Sequence, residues 1–122
     1  MKRVIFVATL LLSVFAFSSC EEDEFGYDNK VIFSARGGVE DVDGDDDIYT
    51  LSIGDYKGNE VQASEVLGVM VVKYDWLTAS AVKGTEEIRL SAEPNETGKR
   101  RKLYVYGMVY NKVVDITVIQ DK

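Results

Sequence analysis

Few residues in this chain are equipped for chemistry. There is no histidine among its 122 residues, so a Ser-His or Cys-His nucleophile pair, a histidine-held metal and the usual neutral-pH base are all missing. One thiol, Cys20, stands at the end of an apolar run. Carboxylates are plentiful, and a pair of them can hydrolyse a glycoside when a cleft holds both beside the bond, but none lies in a recognisable motif. Six crowd the eight positions from Glu40 to Asp47, a density of hard oxygen ligands that suits Ca2+. Read from Asp41, however, a calcium-loop register needs glycine where Asp46 stands, and Gly44 falls on a ligand-alternate position. The segment reads as a hydrated acidic loop. Gly37-Gly38 stands alone before acidic residues and makes no phosphate loop. No catalytic residue, metal or cofactor is expected, which leaves recognition at a surface.

Three aromatic residues qualify for that. Leu103 and Val105 alternate with Tyr104 and Tyr106, so if the aliphatic pair points inward, the tyrosines share the opposite face about 7 Å apart. Asp115 and Thr117 on the following strand would flank them with hydrogen-bonding groups. Trp76 can stack on a sugar ring, although its place at the end of an apolar strand suits core packing better. Lys99-Arg100-Arg101-Lys102 is the one basic cluster, and an exposed hairpin loop accounts for it. Nucleic acid is not an expected partner, since the formal net charge is −7 and phosphate binding needs clustered cations. Asn95-Glu96-Thr97 matches a glycosylation sequon but is read as turn chemistry.

The elements that must position these residues are strands. From Lys30 onward, short runs of β-branched and aromatic residues alternate with turn residues, the pattern of an all-β domain. Strands are expected at Val31–Ala35, at Ile48–Ile53 with Tyr49, Leu51 and Ile53 on one face, and at Gly68–Tyr74, apolar enough to be covered on both sides. The stretch Val61–Val66 is open between a short strand and a crossing loop. Glu86–Ala92 turns inward Ile88, Leu90 and Ala92, and a hairpin around Pro94 leads into Arg101–Met108. Tyr110 to Lys112 then turns into Val113–Gln120, with Val114, Ile116 and Val118 facing the core. About seven strands at this spacing imply a two-sheet antiparallel β-sandwich.

The front of the chain is of another kind. Met1-Lys2-Arg3 is basic, Val4 to Phe17 is a 14-residue apolar stretch, and Ser18-Ser19 precede Cys20. That stretch is too short for a membrane span, which needs about 20 apolar residues, and suits a cleaved leader. The residues up to Cys20 resemble a bacterial lipobox, with Phe17 where leucine is usual; an incidental cysteine after an ordinary leader is the other reading. Lipidation at Cys20 would make residues 1–19 a lipoprotein signal peptide, and several acyl chains hold a protein durably to a membrane. Residues 1–19 carry Lys2, Arg3 and no acid, so their removal takes the charge from −7 to −9. Residues 20–29 read as an acidic linker, and residues 30–122 as the folded domain. Glu21-Glu22-Asp23-Glu24 resembles the export signal of surface lipoproteins of Bacteroidetes, which implies outer-membrane anchoring and cell-surface exposure. A solvated tether gives the same composition.

Tyr74-Asp75-Trp76-Leu77-Thr78-Ala79-Ser80, Ile88-Arg89-Leu90-Ser91, Asn95-Glu96-Thr97, Arg101 and Val118-Ile119-Gln120 follow one another in an order that resembles the BACON domain. The resemblance covers residues 74–122, with Phe33 to Gly38 similar to the family's opening strand and glycine pair. It implies an immunoglobulin-like sandwich on a surface or secreted protein, binding carbohydrate, with mucin suggested. For this chain the expectation is a non-catalytic surface lipoprotein that binds glycan or mucin weakly, by Tyr104, Tyr106, Asp115, Thr117 and Trp76. The alternative is a structural spacer or an accessory subunit of a surface protein complex.

Overall fold

Period-two alternation decides the architecture. Ile88, Leu90 and Ala92, then Leu103 and Val105, then Val114, Ile116 and Val118 are all buried, because successive side chains of a strand point to opposite faces. The computed structural model describes Tyr27, residues 29–110 and residues 112–122; the expected leader, Cys20 and the run Glu21 to Glu24 lie outside them. Ten strands are described: β1 (Lys30–Phe33), β2 (Gly38–Asp43), β3 (Ser52–Gly54), β4 (Glu60–Gln62), β5 (Ser64–Val66), β6 (Val69–Tyr74), β7 (Leu77–Val82), β8 (Glu87–Ala92), β9 (Arg101–Val109) and β10 (Lys112–Gln120). One sheet runs β1-β10-β9-β3-β4 and the other β2-β8-β7-β6-β5. The fold is an all-β, two-sheet sandwich. Every described pairing is antiparallel except β1 with β10, which is parallel from Thr117 opposite Lys30 to Gln120 opposite Phe33.

Several expectations are corrected here. The count of strands is ten rather than about seven, because the chain changes sheets often. At Ala63 it leaves β4 in one sheet and enters β5 in the other, which resolves the ambiguous stretch Val61–Val66 into two three-residue strands. The segment around Pro94 is no hairpin: β8 pairs with β2 and β7, whereas β9 pairs with β10 and β3. Residues 93–100 therefore cross from one sheet to the other, and Lys99 to Lys102 belong to that crossing. Tyr49 does not share a face with Leu51 and Ile53; it is exposed and Ile48 is buried in its place, since residues 48–50 precede the strand and lack its alternation. β6 is covered on one side alone, with Met70 and Val72 buried and Val69 and Val71 exposed. The acidic stretch is partly strand, because Val42 is buried and carries β2 onto β8. β7, not anticipated, alternates Leu77, Ala79 and Ala81 inward with Thr78 and Ser80 between them.

The segment read as a linker also reaches into the fold. Tyr27 is fully buried, and its hydroxyl donates to the carbonyl of Asp46 at 2.6 Å. Gly44 makes room for it: a β-carbon there would lie 2.2 Å from the Tyr27 ring. Tyr27→Phe, which removes the hydroxyl and keeps the ring, should lower stability by about 1 kcal/mol in urea denaturation.

Polar side chains fasten the crossing. Gln120 is fully buried; its amide nitrogen donates to the carbonyls of Ser34 (3.1 Å) and Glu93 (2.7 Å), and its amide oxygen accepts from Arg101 Nε (2.8 Å). Asn95, also buried, donates to the carbonyls of Lys99 (2.7 Å) and Asp121 (3.0 Å) and accepts from the backbone N–H of Thr97 (3.1 Å) and from its hydroxyl (2.7 Å). The Asn95-to-Thr97 sequence is thus turn chemistry. Gly37, at φ +81°, bends β1 into β2 where a β-carbon would fall 2.3 Å from the Ala92 carbonyl oxygen, so only glycine fits.

Candidate tyrosine platform and cationic cleft

β9 carries the candidate site. Leu103 and Val105 are buried, so Tyr104 and Tyr106 emerge on the outer face of their sheet, half-exposed. Their ring centres lie 6.4 Å apart with planes 23° from parallel. The two rings stand side by side, stacked near-parallel, and make one aromatic strip along the outer face of the sheet. On one side the register places Thr117 opposite Tyr104 and Asp115 opposite Tyr106, as the alternation predicts. On the other side β3 places Gly54 opposite Tyr104 and Ser52 opposite Tyr106, and β4 adds Glu60 and Gln62. A β-carbon at Gly54 would stand 3.1 Å from Tyr106 Cε2, so the absent side chain lets the ring settle.

These polar neighbours are ordered. Ser52 Oγ donates to Glu60 Oε2 (2.6 Å), and Gln62 Nε2 donates to the same oxygen (3.0 Å). With Tyr106, Met108 and Val113 they edge a shallow depression of about 280 Å3. Burial pushes the Asp115 carboxyl above its ordinary range. It also raises Tyr106, with Asp115, Glu60 and Tyr104 adding to the effect. Ser52, Glu60 and Gln62 escape sequence reading because nothing local says that β3 joins β9. The one available signal is Ile53, whose inward turn sends Ser52 and Gly54 outward.

Trp76, the remaining sequence candidate, is buried at 3% exposure. The Arg101 guanidinium lies 4.9 Å from its ring centre, a cation–π contact that occupies one aromatic face. It lies off the tyrosine strip, packed into the core at the lining of the cleft described next. The acidic stretch Glu40 to Asp47 divides between β2 and the following loop, and no three acidic or thiol side chains converge as a metal set among the described residues.

Next to the strip, at the end of the sandwich where residues 93–100 cross, a cleft of about 650 Å3 opens between the β3–β4 turn and the start of β9. Asp55, Tyr56 and Lys57 form one wall, and Lys99, Arg101 and Lys102 lie among the residues opposite. Asp55 organises its wall. Its carboxylate accepts from Tyr74 Oη (2.6 Å), Asn59 Nδ2 (2.9 Å) and the backbone N–H groups of Lys57 (2.9 Å) and Asn59 (3.0 Å). The Tyr74 bond, followed by the Asn59 side chain, holds this carboxyl at about 2 instead of the ordinary 3.8, and Tyr74 is raised chiefly by the same bond. A lowered carboxyl contributes stability above its unfolded pKa and loses it as pH falls through the folded value, here between about pH 4 and pH 2. Tyr74→Phe removes the largest cause, so the Asp55 carboxyl, followed by 13C NMR titration, should move back toward 3.8. A midpoint left near 2 would assign the depression to Asn59 and the backbone.

No protein-family model matches the sequence, and no curated protein does. Among solved structures, the chain is similar to a protein from Bacteroides thetaiotaomicron determined by NMR, with a TM-score of 0.55 and 14% identity over 84% of this chain and 85% of that one. It is also similar to part of a Bacteroides ovatus GH5 xyloglucanase solved with a XXXG heptasaccharide, with a TM-score of 0.49 and 18% identity over 76% of this chain. The match spans 17% of that enzyme. At such identities the likeness to the NMR structure is one of fold alone.

Proposed function

We propose that this chain is a BACON-like surface lipoprotein, anchored to the outer membrane through Cys20, whose sandwich binds glycan or mucin weakly and without catalysis. The observation that carries this reading is the Tyr104–Tyr106 strip, two rings 6.4 Å apart and 23° from parallel on an open sheet face. Aromatic surface so placed is a binding surface, and polar groups on both sides can meet sugar hydroxyls. The carboxylates beside it are poorly placed for glycoside hydrolysis. Asp115 on β10 and Glu60 on β4 are separated by three strand spacings, roughly 14 Å, whereas such pairs work within about 5–9.5 Å.

Replacing both tyrosines should weaken retention on immobilised mucin or neutral polysaccharide by about fivefold or more, from roughly 0.5–1.5 kcal/mol of stacking per ring. The comparison uses full-length protein and its Tyr104→Ala/Tyr106→Ala variant, both checked for native circular dichroism. Equal retention of the two would remove the proposal.

A protein-docking accessory role is the second reading, favoured by the outer face of the other sheet. There Val66, Val69 and Val82 stand in register across β5, β6 and β7, with Val71 beside them, all exposed. Co-purification of one stoichiometric protein with no glycan retention would select it.

A further inference from the structure

The cleft beside the tyrosine strip gathers positive charge on an otherwise acidic chain. Five of the fourteen basic residues line it, Lys57, Lys99, Arg100, Arg101 and Lys102, against two of the twenty-one acidic ones, Asp55 and Asp75. Asp55 is already engaged by Tyr74, Asn59 and the turn backbone. Arg101 is fixed by neutral acceptors, the Gln120 amide oxygen (2.8 Å) and the Pro94 carbonyl (3.2 Å). The ion pairs among the described residues include Arg100 with Asp121 but none of Lys57, Lys99 and Lys102. Cations collected at a concave surface without matching carboxylates raise the local potential for an anion.

The walls are also suited to a ring. Tyr56 is 78% exposed, and its ring lies 5.8 Å from Lys57 Nζ. Lys102 continues the line of Tyr106 and Tyr104 along β9, with its Nζ 6.0 Å from the Tyr104 ring centre. The volume, about 650 Å3, falls in the range of small-molecule sites. Cleft and strip therefore form one continuous surface, cationic at one end and aromatic along the other.

We infer that the cleft is a subsite for the anionic substituent, a sulfate ester or a carboxylate, of a saccharide whose neighbouring ring lies on Tyr104. The inference rests on the glycan reading above and adds the chemical class of the glycan. Lysine and arginine donate charge-assisted hydrogen bonds to such oxyanions, stronger than those that neutral hydroxyls receive.

The test is biolayer interferometry of the full-length protein, in a non-glycosidic detergent, on three immobilised polymers. These are chondroitin sulfate, its desulfated form that keeps the carboxylate, and a desulfated, carboxyl-reduced form that is neutral. At least one charged form should bind about tenfold or more tightly than the neutral one, with a preference that shrinks as salt rises. Lys99→Gln/Lys102→Gln, which alters two exposed side chains of the five cations, should cut the preference for charged polymers severalfold. Sulfated above desulfated assigns the sulfate, and equal binding of those two above neutral assigns the carboxylate. Equal affinity for all three, or a charge preference undiminished in the lysine variant, overturns the cleft. If neutral binding then disappears in Tyr104→Ala/Tyr106→Ala, the platform stands without the cleft. Charged-polymer binding that outlasts loss of both rings keeps the cleft and overturns the platform, and no binding at all overturns both.

Discussion

Gln120→Leu is expected to destabilise the fold by about 3–5 kcal/mol, because one side chain of similar size would leave three polar partners stranded. The two carbonyls that its amide nitrogen serves, of Ser34 and Glu93, and Arg101 Nε, which its oxygen receives, come from three separate stretches of chain. Gln120 itself is fully buried, so a leucine there sets an apolar side chain against all three groups. An unmade buried hydrogen bond costs its full desolvation, roughly 1–3 kcal/mol, while a made one contributes only about 1. In a domain of this size the loss corresponds to a fall in melting temperature of about 15 °C or more. Urea unfolding with an unchanged slope would place the effect in the native state. A loss below about 1 kcal/mol would mean that the partners find other acceptors and donors.

Tyr27→Ala is expected to cost about as much, roughly 3–5 kcal/mol by analogy with other buried aromatic truncations. The ring is fully buried and seated on Gly44, and its hydroxyl is bonded to the Asp46 carbonyl. Its removal leaves a cavity and frees the loop after β2 from the front of the domain. Denaturation of the full-length variant measures this directly. A cost near that of Tyr27→Phe, about 1 kcal/mol, would show that the ring packs loosely and that the folded body begins at β1.

Legibility in the sequence needed both length and clean alternation, since β2, β6 and β7 have six residues each and were misread or missed. β8, β9 and β10 have six to nine residues each, enough cycles of alternation to assign their faces, and the positions of Tyr104, Tyr106, Asp115 and Thr117 followed from them. β3, β4 and β5 have three residues each, too few for a period, so their pairing partners and with them Ser52, Glu60 and Gln62 stayed hidden. Proline beside Asn-Glu-Thr-Gly suggested a tight turn, yet Asn95 holds instead a longer crossing, which joins strands in different sheets. Sequence pattern reports which side of a strand is apolar and is silent on which neighbour that strand will choose. The cleft is a product of that choice: Lys57 and Lys99 lie 42 positions apart and meet only because β3 pairs with β9. Tyr27 was masked by its acidic company, whose composition outweighed one aromatic residue.

The parallel pairing of β1 with β10 also sets how the body would bear a load. The front of β1 and the end of β10 lie at opposite ends of the same ladder, which runs from the Thr117 N–H on the Asn29 carbonyl to the Asp121 N–H on the Phe33 carbonyl. Tension drawn between those two points runs along the strands, so the rungs are sheared together and not unzipped one after another. The whole ladder then resists at once, so force between the front of β1 and the end of β10 is shared by every rung.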